Sequence, residues 1–214
     1  MTKTRLTIIR HGETEWNLAL RLQGMKNSEL TRKGLEQARV AARALKDKKF
    51  DRLITSDLKR AVITAEILNE YHHLPVLQDE TLRERNFGIM EGLTREEIQE
   101  RYPETFNGYM LRKDTYQIPE GESLVSFYKR VTTGIRHIAQ QNKGCSVLIV
   151  THGGVLDCIM RMIFDYPLSA PRRFSIYNAS INNFSIDENE WQLDTWGNID
   201  FQKGESVSLE EPKE

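Results

Sequence analysis

Two histidines stand at equivalent places in the sequence, each just beyond a short apolar run and each followed by a glycine. His11 follows residues 6–9, and His152 follows residues 147–150. Apolar runs of this kind are typical of buried parallel strands, and ligands of open α/β sheets bind beyond the carboxyl ends of the strands. We therefore expect the two imidazoles to face each other across one pocket. The alternative is that both are core histidines satisfied by backbone groups, which is less expected twice at equivalent places.

Two arginines and one glutamate also stand at strand ends of the same predicted sheet. Arg10 directly precedes the first histidine, and Arg60 falls in the first turn of a predicted helix. A purely structural cation there opposes the helix dipole, so a bound anion explains Arg60 better. Glu84 lies between two arginines and is a candidate proton donor, with an ordinary surface salt bridge as the alternative. Gly12 is expected to let the chain turn sharply and approach a ligand closely.

Composition limits the classes of protein to which the chain can belong. The 214 residues are 39% hydrophobic and 29% charged, as in a soluble globular domain. No apolar run approaches the ~18 residues of a membrane span, and the first residues show no signal-peptide pattern. A net charge of −1 argues against nucleic-acid binding, and two cysteines without metal-site spacing suit a reduced setting. We expect a cytoplasmic protein with no metal, no nucleic-acid partner and no membrane contact.

Alternating helix and strand patterns predict an α/β fold, a three-layer α/β/α sandwich with a mainly parallel central sheet. One domain is expected over residues 1–202, with an insertion at about 86–122 that covers the site, and a disordered acidic tail at 203–214. The predicted elements are a strand at 6–9, a helix at 13–22, a helix from Thr31 through Lys48, a strand at 50–56, a helix from Asp57 to His72, an extended piece at 75–81, a helix that begins at Thr94 and is closed by Tyr102 and Pro103, a helix at 123–141, a strand at 145–150, a helix ending at Phe164, and a hairpin of strands at 182–186 and 191–196.

Five motifs occur in a fixed order along residues 6 to about 155. They are Arg-His-Gly-Glu-Thr at 10–14, Gln-Gly at 23–24, Ser-Asp-Leu-Lys-Arg-Ala at 56–61, Leu-Arg-Glu-x-x-Phe-Gly-x-x-Glu-Gly at 82–92 and Thr-His-Gly-Gly at 151–154. In this order they resemble the motifs of the histidine phosphatase superfamily, also called the phosphoglycerate mutase-like family. The resemblance implies a phosphoglycerate mutase-like fold. One departure is Asp57, where many relatives have proline, and it is expected to put a negative charge near the rim of the pocket.

The resemblance implies a role for each matching residue. His11 attacks phosphorus to give a phosphohistidine, while Glu84 protonates the leaving oxygen and then activates the water that hydrolyses the intermediate. Arg10, Arg60 and His152 clamp the phosphoryl oxygens and supply the charge stabilisation that phosphoryl transfer needs, so no metal or other cofactor is required. The attacking nitrogen must be neutral, so the other ring nitrogen is expected to donate to a carbonyl. The other expected phosphate-binding residues are Asn17, Gln23, Gly24 and Gly153.

Three functions are compatible with these motifs. The favoured one is a metal-independent phosphomonoesterase that hydrolyses small phosphate esters, an acid or broad-specificity histidine phosphatase. The alternative is a cofactor-dependent phosphoglycerate mutase, but such mutases resemble one another in a long insertion, and only 67 residues separate Glu84 from His152 here. A non-catalytic phospholigand-binding module is less favoured because His11, Glu84 and His152 are all present. The sequence leaves the natural substrate open among sugar phosphates, phosphoglycerate, α-ribazole phosphate and a broad set of phosphate esters. It also leaves the oligomeric state open, with a homodimer as one option.

Overall fold

A computed structural model describes residues 3–188 and 190–202, and in these residues six strands form one sheet. The strands are β1 (Thr4–Arg10), β2 (Arg52–Thr55), β3 (Val76–Gln78), β4 (Ser146–Thr151), β5 (Ile181–Asp187) and β6 (Glu190–Asn198). The order across the sheet is β3-β2-β4-β1-β5-β6. Neighbours among the first four strands are parallel, whereas β5 lies antiparallel to β1 and β6 lies antiparallel to β5.

The central pair of strands, β1 and β4, places the two histidines. Both strands are buried along most of their length, as expected for strands covered on both faces. They are parallel, and their register pairs Arg10 with Thr151. The next residue in each chain segment is a histidine, His11 after the first strand and His152 after the second. The two imidazoles therefore leave the sheet at the same edge, as the sequence predicts.

Helices cover both faces of this sheet. Alternate residues of β4 point to opposite faces, so Val147 and Ile149 lie in one hydrophobic core while Leu148 and Val150 lie in the other. The helices are α1 (Glu15–Leu18), α2 (Arg32–Leu45), α3 (Lys59–Leu68), α4 (Arg95–Arg101), α5 (Pro103–Met110), α6 (Leu124–Gln141) and α7 (Gly153–Phe164). Helices α6 and α7 border the first core and α2 and α3 the second. The predicted three-layer sandwich with a mainly parallel sheet is confirmed.

Helix starts marked by a hydroxyl side chain were predicted correctly. Thr31, Thr94 and Ser123 cap α2, α4 and α6, each accepting a hydrogen bond from the backbone amide three residues later. The predicted helix from Asp57 was wrong in its start, because Leu58 still has extended dihedral angles and α3 begins at the next residue. Leu58 has no polar side chain to cap that helix, but the amide of Lys59 donates to Oδ1 of Asn27 at 3.1 Å.

Helix ends were predicted less well. The helix predicted over 13–22 is only the four residues of α1, and Leu20 beyond it takes a left-handed φ of 54°. Helix α2 stops at Leu45 rather than at Lys48. Helix α3 ends at Leu68, and a single 3₁₀ turn at Asn69–Tyr71 completes the run toward the histidine pair. Further 3₁₀ turns occur at Glu80–Leu82, Gly88–Met90 and Asp200–Gln202.

Residues 86–122 contain more helix than the sequence indicated. Tyr102 and Pro103 do not close the helical region, because Pro103 is the first residue of α5. Proline lacks an amide hydrogen and has a fixed φ, so it fits the first position of a helix as readily as it ends one. The segment has its own small hydrophobic core, built around four buried side chains, Met90, Ile98, Phe106 and Ile118.

The predicted tail at 203–214 lies outside the described residues. In the ranges 3–188 and 190–202, no helix has the length and apolar character needed to cross a lipid bilayer.

Candidate active site

The two histidines face each other at the carboxyl edge of the sheet. The ring centroids of His11 and His152 are 5.2 Å apart, and the ring planes are inclined by 58°. Both side chains are buried, with 3% and 0% of their surface exposed. Two imidazoles this close and this well shielded from solvent can act on one bound group.

The orientation of His11 is fixed by the residue that follows it. Its Nδ1 lies 2.7 Å from the carbonyl oxygen of Gly12. A carbonyl only accepts hydrogen bonds, so Nδ1 carries the hydrogen and Nε2 carries the lone pair. Burial lowers the pKa of His11 well below its ordinary value of 6.5, and the positive charges of Arg60 and Arg10 lower the pKa further. The ring is therefore neutral at neutral pH and has a nucleophilic nitrogen.

Arg60 is held by the loop after α1. Its Nη2 donates to the carbonyl oxygen of Gly24 at 2.7 Å, and its Nη1 donates to that of Lys26 at 2.8 Å. Burial lowers the pKa of Arg60 to about 10, so the guanidinium remains charged at neutral pH. Arg10 is anchored similarly, since its Nη1 donates to the carbonyl oxygen of Ile176 at 2.5 Å. Backbone carbonyls thus fix both cations beside His11 without neutralising them.

Two buried polar nitrogens of the site have no hydrogen-bond partner in the part of the chain that the structure describes. They are Nε of Arg60 and Nδ1 of His152. Buried polar groups are normally paired, so such atoms point to a ligand. An oxyanion suits these nitrogens, because the guanidinium of Arg60 is charged and charged donors make shorter and stronger hydrogen bonds to an anion.

Glu84 reaches the same pocket from the segment after β3. Its Oε2 accepts a hydrogen bond from the amide of Gly154 at 3.0 Å, and its Oε1 accepts one from the amide of Arg85 at 2.8 Å. The hydroxyl of Thr151 at the end of β4 also donates to the carbonyl oxygen of Leu82 at 2.8 Å. Hydrogen bonds therefore hold Glu84 and its segment against residues on both sides of His152.

Ser56 is part of the site although sequence reasoning gave it no role. Its hydroxyl lies 2.8 Å from Nε2 of His152 and also accepts a hydrogen bond from the amide of Leu58 at 3.3 Å. This contact orients the imidazole so that its unpartnered Nδ1 is the nitrogen left for a ligand. The signal that could have found it is position, since Ser56 directly follows β2 at the same sheet edge.

The other predicted phosphate-binding residues are buried or make contacts within the protein. Asn17 Oδ1 accepts from the amide of Thr14, which closes a capping box at α1, and lies 3.5 Å from Asn178 Nδ2. Gln23 is buried, and its Oε1 has no partner among the described residues. Gly153 begins α7, and a Cβ there would come 3.5 Å from Nε of Arg10. Asn178, which the sequence did not single out, donates to the carbonyl oxygen of His11.

Two glycines of the predicted site lie where a Cβ would overlap a neighbouring segment. A Cβ on Gly12 would overlap the carbonyl oxygen of Gly34 in α2, so glycine lets the chain pass close to this helix. Gly24 has a φ of 56°, and a Cβ there would overlap Oε1 of Glu91. That carboxylate accepts hydrogen bonds from the amides of Met25 and Phe87, at 2.8 and 3.0 Å. Glu91 thereby holds the loop whose carbonyls bind Arg60.

The negative charge expected from Asp57 is paired. Its Oδ1 accepts from Nε of Arg83 at 2.8 Å, and its Oδ2 accepts from Nη2 of the same side chain. This hydrogen bonding lowers the pKa of Asp57. The rim therefore carries a compensated ion pair at this position, which corrects the expectation of a separate negative charge.

The site has the composition of an anion site. Among residues 3–188 and 190–202, no cluster of three or more histidine, cysteine, aspartate or glutamate side chains could hold a metal ion. Two buried guanidiniums, two imidazoles and one carboxyl group converge instead. This set can bind a phosphoryl group, attack it and exchange a proton with it.

Known proteins are similar to this chain over nearly its whole length. The family model described as "Histidine phosphatase superfamily (branch 1)" matches residues 6–199. The chain is 37% identical over 199 residues to "Phosphoglycerate mutase-like protein 4" of Arabidopsis thaliana, covering 91% of this chain and 85% of that protein. It is 35% identical over 199 residues to the "Metal-independent phosphoserine phosphatase" of the same plant, covering 92% and 82%.

A solved structure agrees with these sequence comparisons. Bacillus stearothermophilus YhfR matches the fold with a TM-score of 0.85 at 33% sequence identity, over 92% of this chain and 98% of that one. The order of motifs, the paired histidines and the match over residues 6–199 lead to one conclusion. This chain belongs to the histidine phosphatase superfamily.

Proposed function

We propose that this protein is a metal-independent phosphomonoesterase that hydrolyses small phosphate esters through a phosphohistidine on His11. The observation that carries the proposal is the hydrogen bond from Nδ1 of His11 to the carbonyl of Gly12, at 2.7 Å. It leaves the lone pair on Nε2, in a ring that burial and two arginines keep neutral. Membership of the superfamily already supports phosphatase or mutase-like chemistry.

The substrate's phosphoryl group binds between the cations. Arg10 and Arg60 contact the equatorial oxygens, and His152 donates from Nδ1, with Asn17 and Gln23 at the edge of the same pocket. Phosphoryl transfer depends chiefly on positioning and charge stabilisation, which rigid donors supply without reorganisation. The buried Nε of Arg60 and Nδ1 of His152, both unpartnered among the described residues, support this arrangement.

Two displacements then follow. In the first, the Nε2 lone pair of His11 attacks phosphorus, the bond from phosphorus to the ester oxygen breaks, and Glu84 gives its proton to that oxygen. In the second, Glu84 takes a proton from water, whose oxygen attacks phosphorus and breaks the P–N bond. Inorganic phosphate leaves, and both residues return to their first state.

Hydrolysis is proposed over mutase activity because of the short spacing between Glu84 and His152, which are separated by 67 residues. The Arabidopsis relative named as a metal-independent phosphoserine phosphatase supports the same choice. The relative named as phosphoglycerate mutase-like keeps the mutase as the second candidate. A mutase must keep water away from its phosphohistidine, whereas a phosphatase must admit water.

The test is inorganic phosphate release in EDTA from an aryl phosphate, 3-phosphoglycerate, phosphoserine, sugar phosphates, a nucleoside monophosphate and α-ribazole phosphate. Wild type and His11→Ala are assayed side by side. The proposal predicts release by the wild type that His11→Ala abolishes. Interconversion of phosphoglycerates primed by the bisphosphate, without phosphate release, would establish the mutase instead. Absence of both activities would overturn both.

A further inference from the structure

Arg130 in α6 forms hydrogen bonds to the backbone of the segment that carries Glu84, the candidate proton donor. Its Nη1 donates to the carbonyl oxygens of Thr81 and Arg83, both at 3.0 Å. Its Nη2 donates to the carbonyl oxygen of Glu84 itself at 3.1 Å. The guanidinium also lies over the ring of Phe127, 5.2 Å from its centroid. One planar side chain thus fixes three carbonyls along four consecutive residues.

Glu122 binds both Arg130 and the backbone that follows Glu84. Its carboxylate accepts from Nε and Nη2 of Arg130 at 2.9 and 2.8 Å, and its Oε2 also accepts from the amide of Asn86 at 2.9 Å. Its own backbone carbonyl accepts two hydrogen bonds from Arg85. Residues on both sides of Glu84 are therefore held by a single ion pair, which we call the 122–130 brace.

The properties of the 122–130 brace suit it to fixing the position of the backbone around Glu84. Arg130 and Glu122 are largely shielded, with 22% and 19% of their side chains exposed, so water competes weakly for these bonds. The opposite charges compensate each other, and the brace therefore adds no net charge beside the carboxyl group of Glu84. The fork of an arginine is needed, because a lysine ammonium cannot reach several carbonyls with a fixed planar geometry.

We propose that the 122–130 brace positions Glu84 for proton transfer to the leaving oxygen, which makes Arg130 a positioning residue for the reaction. The inference rests on the proposed function, because it assigns the brace a place in that chemistry. Displacing a catalytic group by about 1 Å can cost about 100-fold in rate. The loss should be confined to steps in which Glu84 moves a proton.

The test is a double-mutant cycle that combines Arg130→Gln with Glu84→Gln, assayed on an alkyl phosphate and on p-nitrophenyl phosphate. In single-turnover assays, which isolate the first displacement, Arg130→Gln alone should slow the alkyl ester about 10- to 100-fold and change the aryl ester less than about threefold. In the Glu84→Gln background, Arg130→Gln should cause no further loss. Vanadate affinity should not change. Arg136→Gln, an exposed position on the same helix, is the control and should match the wild type.

Arg130→Lys tests the same point if the glutamine variant does not fold. It keeps the charge but loses the fork, and it should show the same selective loss on the alkyl ester. Equal losses on both esters, or a loss that is as large in the Glu84→Gln background, would overturn the positioning role and leave the proposed function intact. A wild type without His11-dependent phosphate release would overturn the proposed function, and the inference with it.

Discussion

The backbone amide of Gly154 donates to Oε2 of Glu84 at 3.0 Å, and a side chain at that glycine would displace the same carboxyl group. A Cβ there would overlap Oε1 of the same carboxyl group and would come 3.1 Å from the ring of Phe127. The second glycine after His152 therefore has a specific reason to be glycine. Without a Cβ at Gly154, the first turn of α7 leaves room for the Glu84 carboxyl group and donates a hydrogen bond to it.

Gly154→Ala should displace the Glu84 carboxyl group without removing it. We expect turnover of an alkyl phosphate to fall about 10- to 100-fold, because the proton donor no longer aligns with the leaving oxygen. Steady-state kinetics on alkyl and aryl esters measure the effect, and a thermal melt checks the fold. Alkyl ester turnover equal to that of the wild type would contradict this reading of the contact.

Glu84→Gln should separate substrates by their leaving groups. Glutamine keeps the size of the side chain but cannot donate a carboxyl proton, and general acid catalysis contributes about 10²- to 10⁴-fold. Alkyl esters should lose that factor, whereas cleavage of p-nitrophenyl phosphate should change far less, since nitrophenolate leaves without protonation. Single-turnover rates isolate the first displacement. Glu66→Gln, exposed on α3, is a matched control.

If Glu84→Gln slowed the alkyl and aryl esters equally in that single-turnover assay, the assignment of Glu84 as the proton donor would be contradicted. The proposed roles of His11 as nucleophile and of Arg10 and Arg60 in binding phosphate do not depend on this result.

Protein stability should fall as the pH drops below about 6.5. Burial, Arg60 and Arg10 lower the pKa of His11 in the folded state, and burial with neighbouring cations does the same for His152. The unfolded chain therefore binds protons that the folded chain excludes. Each histidine's contribution is complete above its unfolded pKa and is lost as pH falls toward the folded one, by up to about 1.4 kcal/mol per pH unit.

Denaturant unfolding of the wild type and of His11→Gln between pH 7.5 and about 5 measures this effect. The slope of unfolding free energy against pH should be shallower in the variant, because one of the two buried bases is gone. Identical slopes in the two proteins would show that the imidazole of His11 is not kept neutral by its surroundings.

The strand ends were predictable because local sequence determines them. Apolar runs before His11 and His152 mark buried strands, and a shared sheet edge follows from parallel pairing. The position of Arg60 in a first turn also followed from the sequence alone. The motif order then identified the family, which the match over residues 6–199 confirms. Catalytic roles for these residues stay predictions that the kinetic experiments test.

What sequence reasoning missed depends on contacts between distant residues. Arg130 contacts a segment 46 to 49 residues earlier in the chain, and no local pattern distinguishes it from other helix arginines. Ser56 contacts His152 across 96 residues. Pro103 was misread because proline both ends helices and begins them, and only the tertiary structure decides between the two.

The most direct measurement of the central claim is the site of covalent phosphorylation during turnover. Glu84→Gln should slow the second displacement, so its phosphoenzyme should accumulate with p-nitrophenyl phosphate. The protein is quenched in base and digested, and the labelled peptide is identified by mass spectrometry. The account predicts an acid-labile phosphoryl group on His11, absent from His11→Ala. Label on another residue, or phosphate release by His11→Ala at the wild-type rate, would contradict it.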